Sequence, residues 1–340
     1  MSQSVMLRPP GEAPKQLRGS GRRTLLHLTA VTVGGGIVAG LFPSFMGTQW
    51  GAIGSALADV PVLWLVGLLV LWIAGLGLHS ITLSAALPGL SHRRALMLSL
   101  TGSAVSNVLP LGGAAGIALN YRMSRRWGFA PPAIAAFTVV ANVCDVVMKL
   151  LLPLALVPLV VGGFLPQAFG SPRVLVVVAG LMALVAVGAV VLLTREHLLH
   201  RLSEKVLWLR RPLTVAEKVA SAARRVLIQA WPRLSAGMGL YTLFLLLLLV
   251  ACLHAGGAHI PLALVFAAFC GERLLTMIGL TPAGLGFVEL GLAGVLMLAP
   301  GVVGVDVASG ILLYRLLTVG LEIPVGGALL AFWTWSSSRS

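Results

Sequence analysis

Charge is scarce in this sequence. Asp, Glu, Lys and Arg make up 10% of its 340 residues, where a soluble domain carries about 25%. Apolar residues (AVILMFWYC) fill 58% and mean hydropathy is +0.99. Too little polar surface remains to face water, which excludes a soluble globular protein and leaves an all-α polytopic membrane protein. Acid is the scarcer sign, with 10 Asp+Glu against 24 Lys+Arg and a net charge of +14. In a membrane chain that excess marks loops kept on the cytoplasmic side beside anionic lipid, not a nucleic-acid surface. Cysteine is rare as well. Cys144, Cys252 and Cys270 are odd in number, form no CxxC pair and lie in apolar stretches, so neither a disulfide nor a thiolate metal site is expected. The sequence has no GxxxxGK[ST] and no HExxH, and its longest polar stretch, 195–233, is too short for an acyl- or glycosyltransferase domain. The expectation is a non-enzyme with no catalytic residue, no metal and no cofactor.

Long apolar runs are what the sequence does have. A crossing helix needs about 20 apolar residues, and 25–46, 60–81, 131–165, 173–194, 234–255 and 306–333 supply them, the third with Pro153 and Pro158. The first follows Arg18, Arg22 and Arg23 and is too long for a signal-peptide core, so it reads as a retained anchor. Its Gly36-xxx-Gly40 spacing reads as a close-packing site. Two further segments, 95–121 and 262–300, are interrupted, at Leu109-Pro110-Leu111-Gly112-Gly113 and at Thr281-Pro282-Ala283-Gly284-Leu285-Gly286.

Loop charge sets the topology. If 95–121 enters and leaves on the cytoplasmic side, the basic groups before position 25, in 82–94, in 121–130 and in 195–233, with Arg339, all face inward. Were it to cross, 195–233 with its nine Lys and Arg would face outward, against the positive-inside rule. The second interrupted segment starts from the outer side, and a tight pair of crossings there gives the same parity. About six full crossings result, plus two opposed re-entrant hairpins in an inverted repeat with both termini cytoplasmic. The expected layout is a basic tail at 1–24, a first half at 25–194, an amphipathic connector at 195–233, a second half at 234–333 and a tail at 334–340.

Backbone freed by Pro and Gly in lipid must be satisfied by protein or by water in a cavity. Pro110, Pro282, Gly284 and Gly286 are therefore candidate gates, and the N–H groups near Gly112, Gly113 and Asn107 candidate phosphate contacts. Ionisable groups at membrane depth mark function unless they only neutralise one another. Asp145 and Lys149 share a helix face, and either form a structural pair or meet a headgroup. Glu289 follows the second break and either complements a helix dipole or balances charge. Arg315, after Tyr314, suits phosphate or a buried pair with Glu289 or Glu322, the latter seven residues on and thus on the same face. Asp145, Glu289 and Glu322 are the candidates for charge balance or proton coupling. Glu272 and Arg273, adjacent and so on different faces, rank lower. His79, His254 and His259 fall near expected helix ends, where interfacial solvation accounts for them.

Three runs carry a family resemblance: Asn107-Val108-Leu109-Pro110-Leu111-Gly112-Gly113 with Arg122 and Asp145; Thr281-Pro282-Ala283-Gly284-Leu285-Gly286-Phe287-Val288-Glu289; and Leu313-Tyr314-Arg315-Leu316-Leu317-Thr318 with Pro324 and Gly326. Together they resemble the lysylphosphatidylglycerol synthase/flippase transmembrane-domain family. The resemblance implies a bacterial inner-membrane flippase for a phosphate-containing lipid. It implies lipid as substrate, and leaves open a homo-oligomer or a separate synthase partner. The better-known relatives carry a soluble synthase domain, and with none before Ser340 the expectation is transport without synthesis. Ala141-Asn142 stands where the family often has Glu-Arg, and Ala283 replaces a Gly. Polyprenyl-phosphate-linked and hopanoid lipids stay open as cargo, as do a synthase-subunit role and a small-solute transporter.

Overall fold

The computed structural model describes residues 29, 32–109, 112–165, 172–194, 210–278 and 281–337. Among these, every regular element is helical. In chain order they are α1 (Thr32–Phe45), α2 (Trp50–Ala58), α3 (Val62–Ala86), α4 (His92–Val108), α5 (Gly112–Arg126) and α6 (Pro131–Val161). Next come α7 (Pro172–Thr194), α8 (Arg210–Ala255), α9 (Leu262–Ile278), α10 (Phe287–Leu296), α11 (Gly304–Arg315) and α12 (Glu322–Ser337). A π-helical turn, Leu316–Gly320, fuses α11 to α12.

Five helices are long and apolar enough to cross a bilayer: Val62–Ala86, Pro131–Val161, Arg173–Val191, Lys218–Ala255 and Gly304–Ser336. The chain is a multi-pass, all-α membrane protein. The sixth expected crossing, 25–46, is described mainly from Thr32, as a helix shorter than a span. The tail 1–24, Pro110, the connector up to 209 and Arg339 lie outside the described residues.

Local chemistry explains the element ends. Pro131 opens α6 at a first-turn position, where its missing N–H costs nothing. Leu109, which precedes Pro110, is extended (φ −96°, ψ 144°) and ends α4, as the residue before a proline tends to be. The boundary expected at 233/234 falls inside α8, which runs on through Pro232. The reason is packing. Ala222, Ala223, Val226, Leu227, Ala230 and Leu234 keep helical spacing and face one apolar cluster, so the helix has no cause to stop there.

Both interrupted segments fold back on themselves. Helices α4 and α5 pack along a seam of small residues: a Cβ on Gly102 would meet Asn120, and one on Gly116 would lie 2.8 Å from the carbonyl of Gly102. Helices α9 and α10 form the second pair, with Gly291 against Leu275. In α1 the close-packing expectation moves by two residues. Gly36 and Gly40 face open space, while a Cβ on Gly34 would come 2.9 Å from the carbonyl of Leu285. Spacing alone does not say which face of a helix is covered.

Two apolar clusters make the core. One includes Phe42, Leu68, Leu76, Leu249, Phe269 and Leu292. The other includes Leu83, Leu90, Leu98, Met123, Phe137 and Trp333. On α3 the boundary between them falls around His79 and Ser80, on α6 between Cys144 and Leu152, and on α8 between Leu234 and Tyr241. On α3 and α6 that boundary is marked by polar side chains, His79 and Ser80 on one and Asp145 and Lys149 on the other. At the outer edge of the second cluster Arg94 stacks over Trp127, and Arg126 over Trp333. That gathers basic and aromatic groups at one end of the molecule.

Candidate functional site

The break between α9 and α10 is held by side chains from three places. Thr281 is extended, Pro282–Gly284 makes a single tight turn, and Ala283 (φ 54°), Gly284 (φ 70°) and Gly286 (φ 86°) adopt left-handed backbone. Thr281 Oγ1 donates to the Leu285 carbonyl at 2.8 Å and so closes the loop. Glu289 reaches back through Oε2 to accept from the Gly286 N–H at 2.7 Å, satisfying a free donor at the start of α10. Its Oε1 accepts from Arg315 Nε at 2.6 Å. Arg315 Nη2 donates to the Ala283 carbonyl. Glu289 and Arg315 are both buried, so of the pairings open in the sequence it is Glu289 that Arg315 takes. The π turn after Arg315 inserts an extra residue and rotates α12 relative to α11. Glu322 therefore does not share its face with Arg315, as simple helical spacing implied, and turns toward Tyr241 and Ser103.

A second cluster lies on α6, α8 and α9. Lys149 Nζ and Asp145 Oδ2 are 2.8 Å apart, and the carboxylate is the more open partner, 45% exposed against 15%. Both line a narrow cleft with Met148, Met238, Tyr241 and Arg273. Arg273 grips Glu272 with two donors, reaches the Tyr314 hydroxyl with Nη2 at 3.3 Å, and stands over the Phe269 ring. Beside Lys149 the cleft therefore holds Arg273, and Arg315 is not among its lining residues. Two long side chains on neighbouring residues can curl together even where their Cβ atoms diverge, so Glu272 and Arg273 belong to the site despite their adjacency in sequence. The available signal was plain: they are the only charges in the apolar stretch 262–278.

His79 also departs from expectation. It stacks on Tyr241, ring centroids 4.4 Å apart, and shares a 3.2 Å hydrogen bond with Ser99. It sits at the boundary between the two clusters, because α3 extends to Ala86 and leaves His79 well inside its length. His254 and His259 meet edge to face, with His254 at the end of α8.

The first break is less enclosed. Gly112 is buried against the backbone of Ser106, whose Oγ donates to the Gly112 carbonyl at 3.1 Å, while Gly113 faces open space and Asn107 is half-buried. Helix α4 also packs against the Pro282–Gly284 turn and, through Leu100 and Ala104, against Gly326 of α12. The structure thus brings Arg315, Glu289, Pro282, Gly284 and Gly286 into one constellation, and Asp145 and Lys149 into another with Arg273. Tyr314 touches Arg273 and adjoins Arg315 in sequence. Such an arrangement offers guanidinium and ammonium groups to a phosphate and a carboxylate to an amine.

All of these residues fall within 28–326, the stretch that matches the family described as Lysylphosphatidylglycerol synthase TM region. The chain belongs to this family. No curated protein matches the sequence. The membership fits the resemblance carried by the three runs around Pro110, Pro282 and Arg315, and ties this LPG synthase TM region to lipid. Within the matched stretch it is the Ala283 carbonyl that Arg315 holds. No group of three or more His, Cys, Asp or Glu residues with metal-binding placement occurs among the described residues.

Proposed function

We propose that the protein is a non-enzymatic flippase of the bacterial inner membrane, moving the headgroup of a phosphate-containing lipid between leaflets while the acyl tails stay in the bilayer. One observation carries the reading. Asp145, Lys149 and Arg273 line one cleft among the helices, where a span serving only as an anchor has no use for them. In this reading Lys149 and Arg273 meet phosphate and Asp145 meets an amine or balances charge. Glu322 is the candidate for proton coupling, and the Arg315–Glu289 pair pins one gate. The folded-back pairs α4–α5 and α9–α10 are read as opposed re-entrant hairpins of an inverted repeat, rocking against each other about Pro110, Pro282, Gly284 and Gly286. The basic end formed by Arg94 and Arg126 is read as cytoplasmic, together with both termini.

The test is translocation of a fluorescent phospholipid in proteoliposomes. Wild type should move lipid, and Lys149→Gln with Arg273→Gln should slow it at least tenfold. Equal rates would remove these residues from the mechanism. The family description favours a second reading, the membrane subunit of a lipid-modifying synthase with a separate catalytic partner. Deletion then lowers the total of a modified lipid, whereas loss of a transporter lowers only its exposure on the outer leaflet.

A further inference from the structure

A groove of about 530 Å³ runs along one flank of the bundle between α6, α7 and α8, within the roughly 300–1,000 Å³ range of small-ligand sites. Its wall is almost wholly apolar, including Val143, Val147 and Leu151 on α6 and Ile228 and Trp231 on α8. Ile228 and Trp231 are 55% and 63% exposed. Among its described side chains helix α7 buries only Ala179 and Ala186, residues on one stripe, and it packs mainly along α6. The seam between α7 and α8 is thereby left open toward the surrounding hydrocarbon.

The inner end of the groove is closed by Met148 and Met238. The same two side chains line the cleft that holds Asp145, Lys149 and Arg273. An apolar slot and a charged cleft therefore share a wall of two methionines. Methionine is unbranched with three rotatable bonds, so it can vacate a passage at low cost. Met148 lies over Gly239, 3.8 Å from where a Cβ would stand.

Resting on the transporter reading above, we propose that the groove is a lateral site for one fatty acyl chain of a phospholipid whose phosphate enters the Lys149–Arg273 cleft. The cleft, about 10 Å³ as it stands, admits it when Met148 and Met238, the movable wall between tail and headgroup, swing aside and Lys149 exchanges Asp145 for the phosphate. The occupant follows from chemistry at both ends. Only an amphiphile puts hydrocarbon on one side of that wall and an anion on the other, and the groove faces the phase where such molecules are dissolved.

The test uses the full chain in nanodiscs containing phosphatidylglycerol and diacylglycerol with identical acyl chains. A photoreactive benzoylphenylalanine replaces Ile228 in the groove or, as reference, the exposed Val185 on α7. Mass spectrometry then counts the lipid adducts. At Ile228 the phosphatidyl lipid should be enriched at least threefold over its bilayer share, at Val185 it should match that share, and Lys149→Gln should abolish the enrichment. Equal ratios at both positions, enrichment indifferent to Lys149→Gln, or crosslinks to protein in place of lipid would overturn the proposal. Filling the groove with Val147→Trp separates it from the transporter reading. Lost translocation with lost adducts supports the site. Translocation that persists with the groove filled refutes it and leaves transport standing. Adducts as expected on a wild-type chain that moves no lipid uphold the site and sink transport.

Discussion

Arg315 donates to the carbonyl of Ala283, the one residue other than glycine that holds positive φ among the described residues. A left-handed alanine costs about 1–2 kcal/mol relative to the usual backbone. The guanidinium holds it there while its Nε takes Glu289. One side chain thus fixes both the turn and the helix that restarts after it.

Ala283→Gly should therefore stabilise the protein by up to about 1 kcal/mol, the freer unfolded chain taking back part of the relief. Arg315→Ala should destabilise it by about 3–5 kcal/mol by leaving Glu289 buried and unpaired. Thermal midpoints in detergent measure both. A midpoint lowered by Ala283→Gly would contradict the strained turn.

Gly326 and Gly327 make a matched pair. A Cβ on Gly326 would run into the Leu100 carbonyl and come 2.7 Å from the Ala104 Cβ, whereas Gly327 faces open space. Gly326→Leu should force α12 off α4 and cost about 1–3 kcal/mol. Gly327→Leu should be neutral or slightly stabilising. The order of the two melting temperatures decides it.

The three thiols should differ in access. Cys144 is half-buried on the groove wall, while Cys252 and Cys270 are 0% and 2% exposed. N-ethylmaleimide on the folded chain in detergent should label slowly, because the reagent needs water at the thiol, and at Cys144 ahead of the other two, as mapped by peptide mass spectrometry. Cys252 reacting at a comparable rate would show that the packing of α8 against α11 is wrong.

Much of this arrangement was legible in the sequence. Pro282, Gly284 and Gly286 announce a broken helix because the backbone chemistry is local, and Glu289 three residues past Gly286 has the spacing of a reach-back cap. What local pattern does not carry is which distant groups meet. The π turn at 316–320 leaves no mark in hydropathy, yet it decides that Arg315 goes to Glu289 and Glu322 elsewhere. The stacking of His79 on Tyr241 depends on how α3 crosses α8, and the Arg273–Tyr314 contact on how α9 meets α11. The Met148–Met238 wall is likewise a property of packing, since neither residue stands out in its own apolar run.

The acids of the candidate site come largely in couples: Asp145 with Lys149, Glu272 with Arg273, Glu289 with Arg315. Each couple is electrically a dipole with no net charge. A transmembrane voltage does work only on net charge displaced, about 2.3 kcal/mol per elementary charge per 100 mV. Helices that carry a couple can therefore shift together without the field opposing or driving them, so under the proposed transport voltage sensitivity rests with the cargo and with Glu322, which stands outside these couples.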